Sequence, residues 1–181
     1  MANKIYAALL KEIIKEGDEV TTRNSDVYSH FNLPNTTFTS APLVTVRKTA
    51  WRKALREMEW FLSGDSKCPE ELLDWWDGQL SPSGCYFGGY THQLRDFQGA
   101  QDSFFDQVEF IQEALKANPN SRRLLMTVWC PGDMAYITDM NDNPNTPTCC
   151  HSIIVQFFVR NRYLSMKTYQ RSADMLLGVP H

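Results

Sequence analysis

Tyr169-Gln170-Arg171-Ser172-Ala173-Asp174, followed by Leu177-Gly178-Val179-Pro180, is the stretch on which the reading of this 181-residue chain turns. Ahead of it, Tyr163 to Tyr169 sets Leu164 and Met166 against Ser165 and Lys167, the period-two pattern of a strand. Asn161-Arg162 turns that strand back onto Ser152 to Arg160, a run almost wholly apolar (Ile153, Ile154, Val155, Phe157, Phe158, Val159). Such a run predicts a strand buried on both faces. Ala173 to Leu177 then begins a helix, with Asp174 placed to favour its N-terminal dipole. Gln170-Arg171-Ser172 therefore stands between a strand and a helix start. A guanidinium fork beside a hydroxyl there matches phosphate oxygens, although one arginine alone reads equally as a solvated surface charge.

Upstream, Ile5, Leu9 and Ile13 recur at helical spacing and predict a helix over 3–16, stopped by Gly17. Residues 18–47, rich in Thr, Asn, Ser and Pro, predict a loop and then a strand or two. Trp51, Ala54, Leu55, Met58, Phe61 and Leu62 form an apolar stripe that predicts a helix over 49–63, capped by Gly64. Pro69 suits the first turn of a short helix through Leu72 and Leu73. The glycines and proline of 77–98 predict a long irregular segment, of the kind that often carries function. A further helix is predicted over 102–116, with Phe104, Val108, Ile111 and Leu115 inward, and a strand over 124–129. The fold class is α+β: helices on one side of a mixed or mostly antiparallel sheet.

Lys plus Arg total 18 against 21 for Asp plus Glu, a formal charge of −3, so the basic excess of a bulk nucleic-acid binder is absent. No apolar run approaches a membrane span or a signal-peptide core. Five scattered cysteines predict reduced thiols in a cytoplasmic protein. The chain stops a few residues into its last helix, which predicts that a C-terminal portion is missing.

Three groups of residues offer chemistry. Cys149-Cys150-His151 lies between a polar, Pro-broken loop and the apolar strand; it is either a loop-borne thiolate nucleophile or a pair of small buried residues. No second Cys/His pair stands at ligand spacing, so no metal is expected. Arg23, Arg122, Arg123 and Arg171 become an anion site only if the fold gathers them. Among the carboxylates, Glu57 sits about 120° from the centre of its helix's apolar face and reads by default as a boundary charge. Trp75, Trp76 and Asp77 read as a stacking platform or as rim packing.

Taken together, these segments resemble the thymidylate synthase family, which includes the pyrimidine nucleotide hydroxymethylases of phages. Tyr169 to Asp174 with Leu177 to Pro180 is similar to its Y-Q-R-S-x-D-x-x-L-G-x-P signature. Glu57 to Gly64 resembles its E-x-x-W-F-L-x-G helix, Ser121-Arg122-Arg123 with Trp129 and Pro131 its S-R-R…W-x-P stretch, and Cys150-His151 with Gln156-Phe157 its P-C-H…Q-F strand. The resemblance implies one catalytic domain over 1–181, with a sheet face at a homodimer interface. It implies a methyltransferase that passes a one-carbon unit from 5,10-methylenetetrahydrofolate to C5 of dUMP, giving dTMP and dihydrofolate. Cys150 would add to C6 of the base, because C5 is not nucleophilic until the ring's conjugation is broken. Arg23, Arg122, Arg123 and Arg171 would hold the phosphate, with Arg122 and Arg123 from the other subunit. Ser172 would join them and Gln170 would support the site. Glu57 would organise a proton-relaying water network, Tyr90 would assist proton removal at C5, and Trp76 and Asp174 would contact the folate.

This sequence departs from the family pattern in three places. Cys149 replaces the proline before the nucleophile and is a rival to it, and one extra residue separates Cys150 from Gln156, which a strand bulge would absorb. The glycine-rich phosphate loop reads Arg23-Asn24-Ser25-Asp26-Val27-Tyr28, and Tyr90-Thr91-His92-Gln93-Leu94-Arg95 replaces Y-G-x-Q-W-R. Such drift implies a divergent, phage-like member. The alternatives are a dUMP or dCMP hydroxymethylase, in which water rather than hydride quenches the exocyclic methylene, and a non-catalytic or split fragment that needs a second chain.

Overall fold

The computed structural model describes residues 1–22, 25–86, 89–99, 103–131 and 152–180. The chain divides into two compact units: 1–51 with 174–181, and 52–173.

In the first unit, α1 (Ala2–Glu16) follows its apolar period. Gly17 ends it by close approach, since a Cβ there would collide with the Ile13 carbonyl oxygen. A hairpin follows at once, β1 (Asp18–Thr21) against β2 (Asp26–Ser29), so the strands precede the irregular stretch instead of following it. Residues 30–50 contain no helix or strand. They are pinned at Thr45, which exchanges two 2.8 Å hydrogen bonds with the Asn3 side chain. The buried Tyr6 donates its hydroxyl to the Met175 carbonyl at 2.7 Å.

The predicted final helix does not form. Residues 175–180 make turns, and Asp174 Oδ1 just before them accepts the amides of Leu176 and Leu177 at 2.7 and 2.9 Å. The carboxylate thus satisfies two amides locally, as an Asp at a helix start would, without a helix following.

The second unit holds α2 (Trp51–Ser63, its first residue counted with the other unit), a 3-10 turn (Glu70–Leu72), α3 (Gly89–Arg95), β3 (Phe97–Gln98), β4 (Phe104–Phe105), α4 (Gln107–Ala117), β5 (Leu125–Thr127), β6 (Ser152–Arg160) and β7 (Tyr163–Gln170). Its core is aromatic: Trp60, Phe61, Trp76 and Tyr86 meet mostly edge to face at 4.8–5.9 Å, with Leu72, Leu94 and Val128 closing around them. Each such pair contributes roughly 0.5–1.5 kcal/mol beyond burial itself.

Four expectations change here. Of its predicted stripe α2 fully buries Phe61 alone, at 7% exposed: Leu55 is 59% exposed and Met58 51%, while Trp60, outside the stripe, is 3% exposed and faces the core with Phe61. The larger area and the N–H group of the indole outweigh the better-centred aliphatic stripe. The irregular segment predicted over 77–98 contains α3, a helix of 7 residues whose Gly89, Thr91, Gln93 and Leu94 are buried; a helix that short is held by packing, and propensity does not show it. α4 starts at Gln107, after an Asp106 cap whose side chain accepts the Glu109 amide, so Phe104 falls on strand β4 and is 65% exposed. Finally, the class is α+β and every strand pair among the described residues is antiparallel, one of the two arrangements expected, but the strands lie in separate sheets of 2, 2 and 3 strands ordered β1-β2, β3-β4 and β5-β6-β7 instead of one sheet.

The β6–β7 hairpin turns at Asn161 and Arg162, both with positive φ (51° and 66°), the two-residue turn whose twist suits a hairpin. No residue from Ile154 to Gln170 is fully buried, because this small sheet leaves β7 exposed along its length; residues 154–160 of the strand predicted to be buried on both faces are half-buried at most.

Candidate functional site

Glu57 lies one turn before Phe61 on α2, so the turn that buries Trp60 and Phe61 also draws the carboxylate inward. Its Oε1 accepts the indole N–H of Trp76 at 2.7 Å and that of Trp75 at 3.0 Å. Burial raises the Glu57 pKa, and the two hydrogen bonds, that of Trp76 more than that of Trp75, pull against the rise. A half-buried carboxyl of raised pKa keeps its proton to higher pH than an exposed one does. Trp76 is 6% exposed, with its ring among the core aromatics. Trp75 is half-buried and carries the Lys53 ammonium 5.7 Å from its ring centre.

Tyr90, near the start of α3, stacks on Phe61 with centroids 4.8 Å apart and 11° between the planes. Glu57 and Tyr90 thus border the same aromatic cluster, from α2 and from α3.

The arginines fall at two places on the β5-β6-β7 sheet. Arg171 leaves the end of β7 with its guanidinium 5.6 Å from the centre of the Trp129 ring, a cation–π contact. Gln170 closes β7 opposite Ser152, and Ser172 is exposed beside Arg171. Arg122 and Arg123 are exposed just before β5, which enters the sheet with Leu125 opposite Gln156. Arg171 lies toward the other end of the same strands, past the Ser152–Gln170 pair. At about 3.3 Å per residue, that separates Arg123 from Arg171 by on the order of 20 Å within one chain.

Between Ser152 and Ile154 the β6–β7 register shifts: Ser152 faces Gln170, yet Ile154 already faces Tyr169. This bulge lies between His151 and Gln156, where the sequence carries its extra residue, and absorbs it. Cys149, Cys150 and Arg23 lie outside the described residues. Asp174 is exposed in the first unit, engaged with its own turn.

Sequence reasoning misses Trp75 as the second donor to Glu57 and Trp129 as the seat of Arg171. Adjacent indoles following an inward-facing helix are the available signal for the first; for the second, no local pattern joins residues so far apart in the chain.

A half-buried carboxyl on an aromatic wall and an arginine laid over an indole at a bulged strand end are the features among the described residues that can carry chemistry. The family model described as Thymidylate synthase matches residues 4–181, and the chain belongs to the thymidylate synthase family. That family makes dTMP by one-carbon transfer to dUMP, with methylenetetrahydrofolate as co-substrate. No helix among the described residues is long and apolar enough to cross a membrane.

Proposed function

We propose that this protein is a methyltransferase that converts dUMP to dTMP and dihydrofolate through a covalent adduct between Cys150 and C6 of the base. The observation that carries the reading is the Glu57 carboxyl held by two indole N–H groups, in a chain that matches the family over 4–181. Adduct formation turns C5 into a nucleophile; C5 bonds to the one-carbon unit and then loses its proton. Glu57 passes protons through bound water, and Tyr90 assists removal of the C5 proton. Arg171, Ser172 and Arg23 bind the phosphate, with Gln170 behind them.

Arg122 and Arg123 come from the second subunit of a homodimer. Their distance from Arg171 within one chain supports this, as do the exposed Leu164 and Met166, which share one face of the same sheet. The folate supplies the methylene carbon and the hydride that reduces it. An aromatic wall beside a half-buried carboxyl suits such a flat, partly polar ring and supports Trp76 as a folate contact, while the same role for Asp174 rests on the family resemblance alone.

Purified protein incubated with dUMP or dCMP and labelled methylenetetrahydrofolate tests this, with product mass and dihydrofolate absorbance as readouts. Methylated dUMP with stoichiometric dihydrofolate is the expected result. A hydroxymethyl product without dihydrofolate identifies a hydroxymethylase, and activity only on adding a second chain identifies a split enzyme. Cys150→Ser is expected to abolish turnover and Cys149→Ser to preserve it; the reverse pattern assigns the nucleophile to Cys149.

A further inference from the structure

Gln107, the first residue of α4, is a buried polar side chain that the proposed mechanism leaves unused; it is 6% exposed. Its carboxamide is engaged at both ends. Nε2 donates to the carbonyl oxygens of Gln93 and Thr127, each at 2.6 Å, and Oε1 accepts the Thr127 amide N–H at 2.9 Å. The two bonds to Thr127 copy the exchange between paired strand residues, so one side chain serves as an extra rung beside β5. Three good hydrogen bonds in a buried site fix that rung firmly, since losing them leaves desolvated backbone groups unpaired.

The fixed position is passed on in two directions. Thr127 Oγ1 accepts the amide N–H of Trp129 at 3.2 Å, and the Trp129 ring carries the Arg171 guanidinium. On the other side, Gln93 lies one turn after Tyr90 on α3, and the bond to its carbonyl holds that helix against α4.

We infer that Gln107 is a positioning residue, a shared brace that sets Arg171 through Thr127 and Trp129 and sets Tyr90 through α3. The inference deepens the proposed function and rests on it for the roles of Arg171 and Tyr90. A staple that only stabilised the core would lower the melting temperature and leave the Arg171 environment and its coupling to nucleotide unchanged.

The test uses the full chain labelled with 15N-arginine. The Arg171 Nε–Hε signal is assigned by its loss in Arg171→Lys and is shifted by the ring current of Trp129. Gln107→Met keeps the length of the side chain and removes its donor and acceptor. Gln107→Asn keeps a carboxamide that is one methylene too short to span Gln93 and Thr127, so it carries the test if Gln107→Met does not fold. In each folded variant the Arg171 signal is expected to move to the position of a solvated arginine, and the Kd for dUMP to rise at least tenfold. In an Arg171→Ala background the same substitutions are expected to change that Kd less than twofold.

An Arg171 signal that shows no ring shift in the wild type, or stays in place in a folded variant, overturns the inference. So does an undiminished loss of affinity in the Arg171→Ala background. A wild type that shows the ring shift, loses it in the variants and yet binds no dUMP upholds the brace and overturns the nucleotide reading instead.

Discussion

Trp76 donates its indole N–H to Glu57 Oε1 at 2.7 Å, from a ring that is itself packed in the core, so a rigid donor is aimed at a titrating carboxyl. The bond favours the charged form against the burial that opposes it. Trp76→Phe keeps most of the ring volume and deletes the donor. The Glu57 pKa is then expected to rise further, and by more than in Trp75→Phe, because the Trp76 bond has the larger effect of the two. A carbon-13 titration of the Glu57 carboxyl reads both shifts, and a fall in either variant contradicts this assignment.

Burial sets the folded pKa of Glu57 above its unfolded value, so the native state holds the proton more tightly. The stability this contributes is fully present below the unfolded pKa and is lost as pH rises through the raised folded pKa. Glu57→Gln keeps an oxygen acceptor for both indoles and has no such titration. The stability of the wild type relative to Glu57→Gln is expected to fall across that window, as thermal unfolding at a series of pH values will read. Turnover by the same variant is expected to drop by roughly 10²–10⁴-fold, the usual effect of losing a positioned acid–base group.

Gly64 ends α2 at φ +78°, and a Cβ there would lie 2.8 Å from the Cβ and Cγ of Arg95. Gly64→Ala must bear left-handed strain as well as that contact, and is expected to cost more than about 1 kcal/mol. Denaturant unfolding with an unchanged slope and a lowered midpoint is the expected signature. An unchanged midpoint would mean that the helix end rearranges freely.

Asp106 has two duties at the start of α4. Oδ1 accepts the Glu109 amide at 2.8 Å, and Oδ2 meets Arg95 Nη2 at 3.0 Å. Asp106→Asn retains a cap and loses the ion pair, whereas Asp106→Ala loses both. The alanine variant is expected to lose about 1 kcal/mol through the cap alone, and the asparagine variant distinctly less. Equal losses would show that the cap contributes nothing.

Where one side-chain period and one turn decide a segment, the fold is legible in the sequence. Ser152 to Arg160 forms β6 as its apolar run predicts, Asn161-Arg162 makes the turn, and the extra residue before Gln156 meets a bulge. Resemblance singles out Glu57, although its angle on the helix argues for the surface. Periodicity weights Leu55 and Met58 like any apolar residue and does not know that Trp76 and Tyr86 will converge on Trp60 from other segments. α3 escapes for a related reason: its buried face includes Gly89, Thr91 and Gln93, residues that read as loop until α4 and β5 are packed against them. The nucleophile region and Arg23 rest on resemblance alone, since they lie outside the described residues.

The left-handed pair at Asn161 and Arg162 also bears on the order in which this sheet assembles. β6 and β7 are joined by two residues, so their pairing closes almost no loop, and hairpins of this kind form in about 1–10 μs. Pairing β5 with β6 must first bring Thr127 to Ile154 across the whole intervening chain, at a larger entropic cost. Folding kinetics should therefore divide the sheet: substitutions in the turn slow its formation, while substitutions at Thr127 chiefly speed its loss.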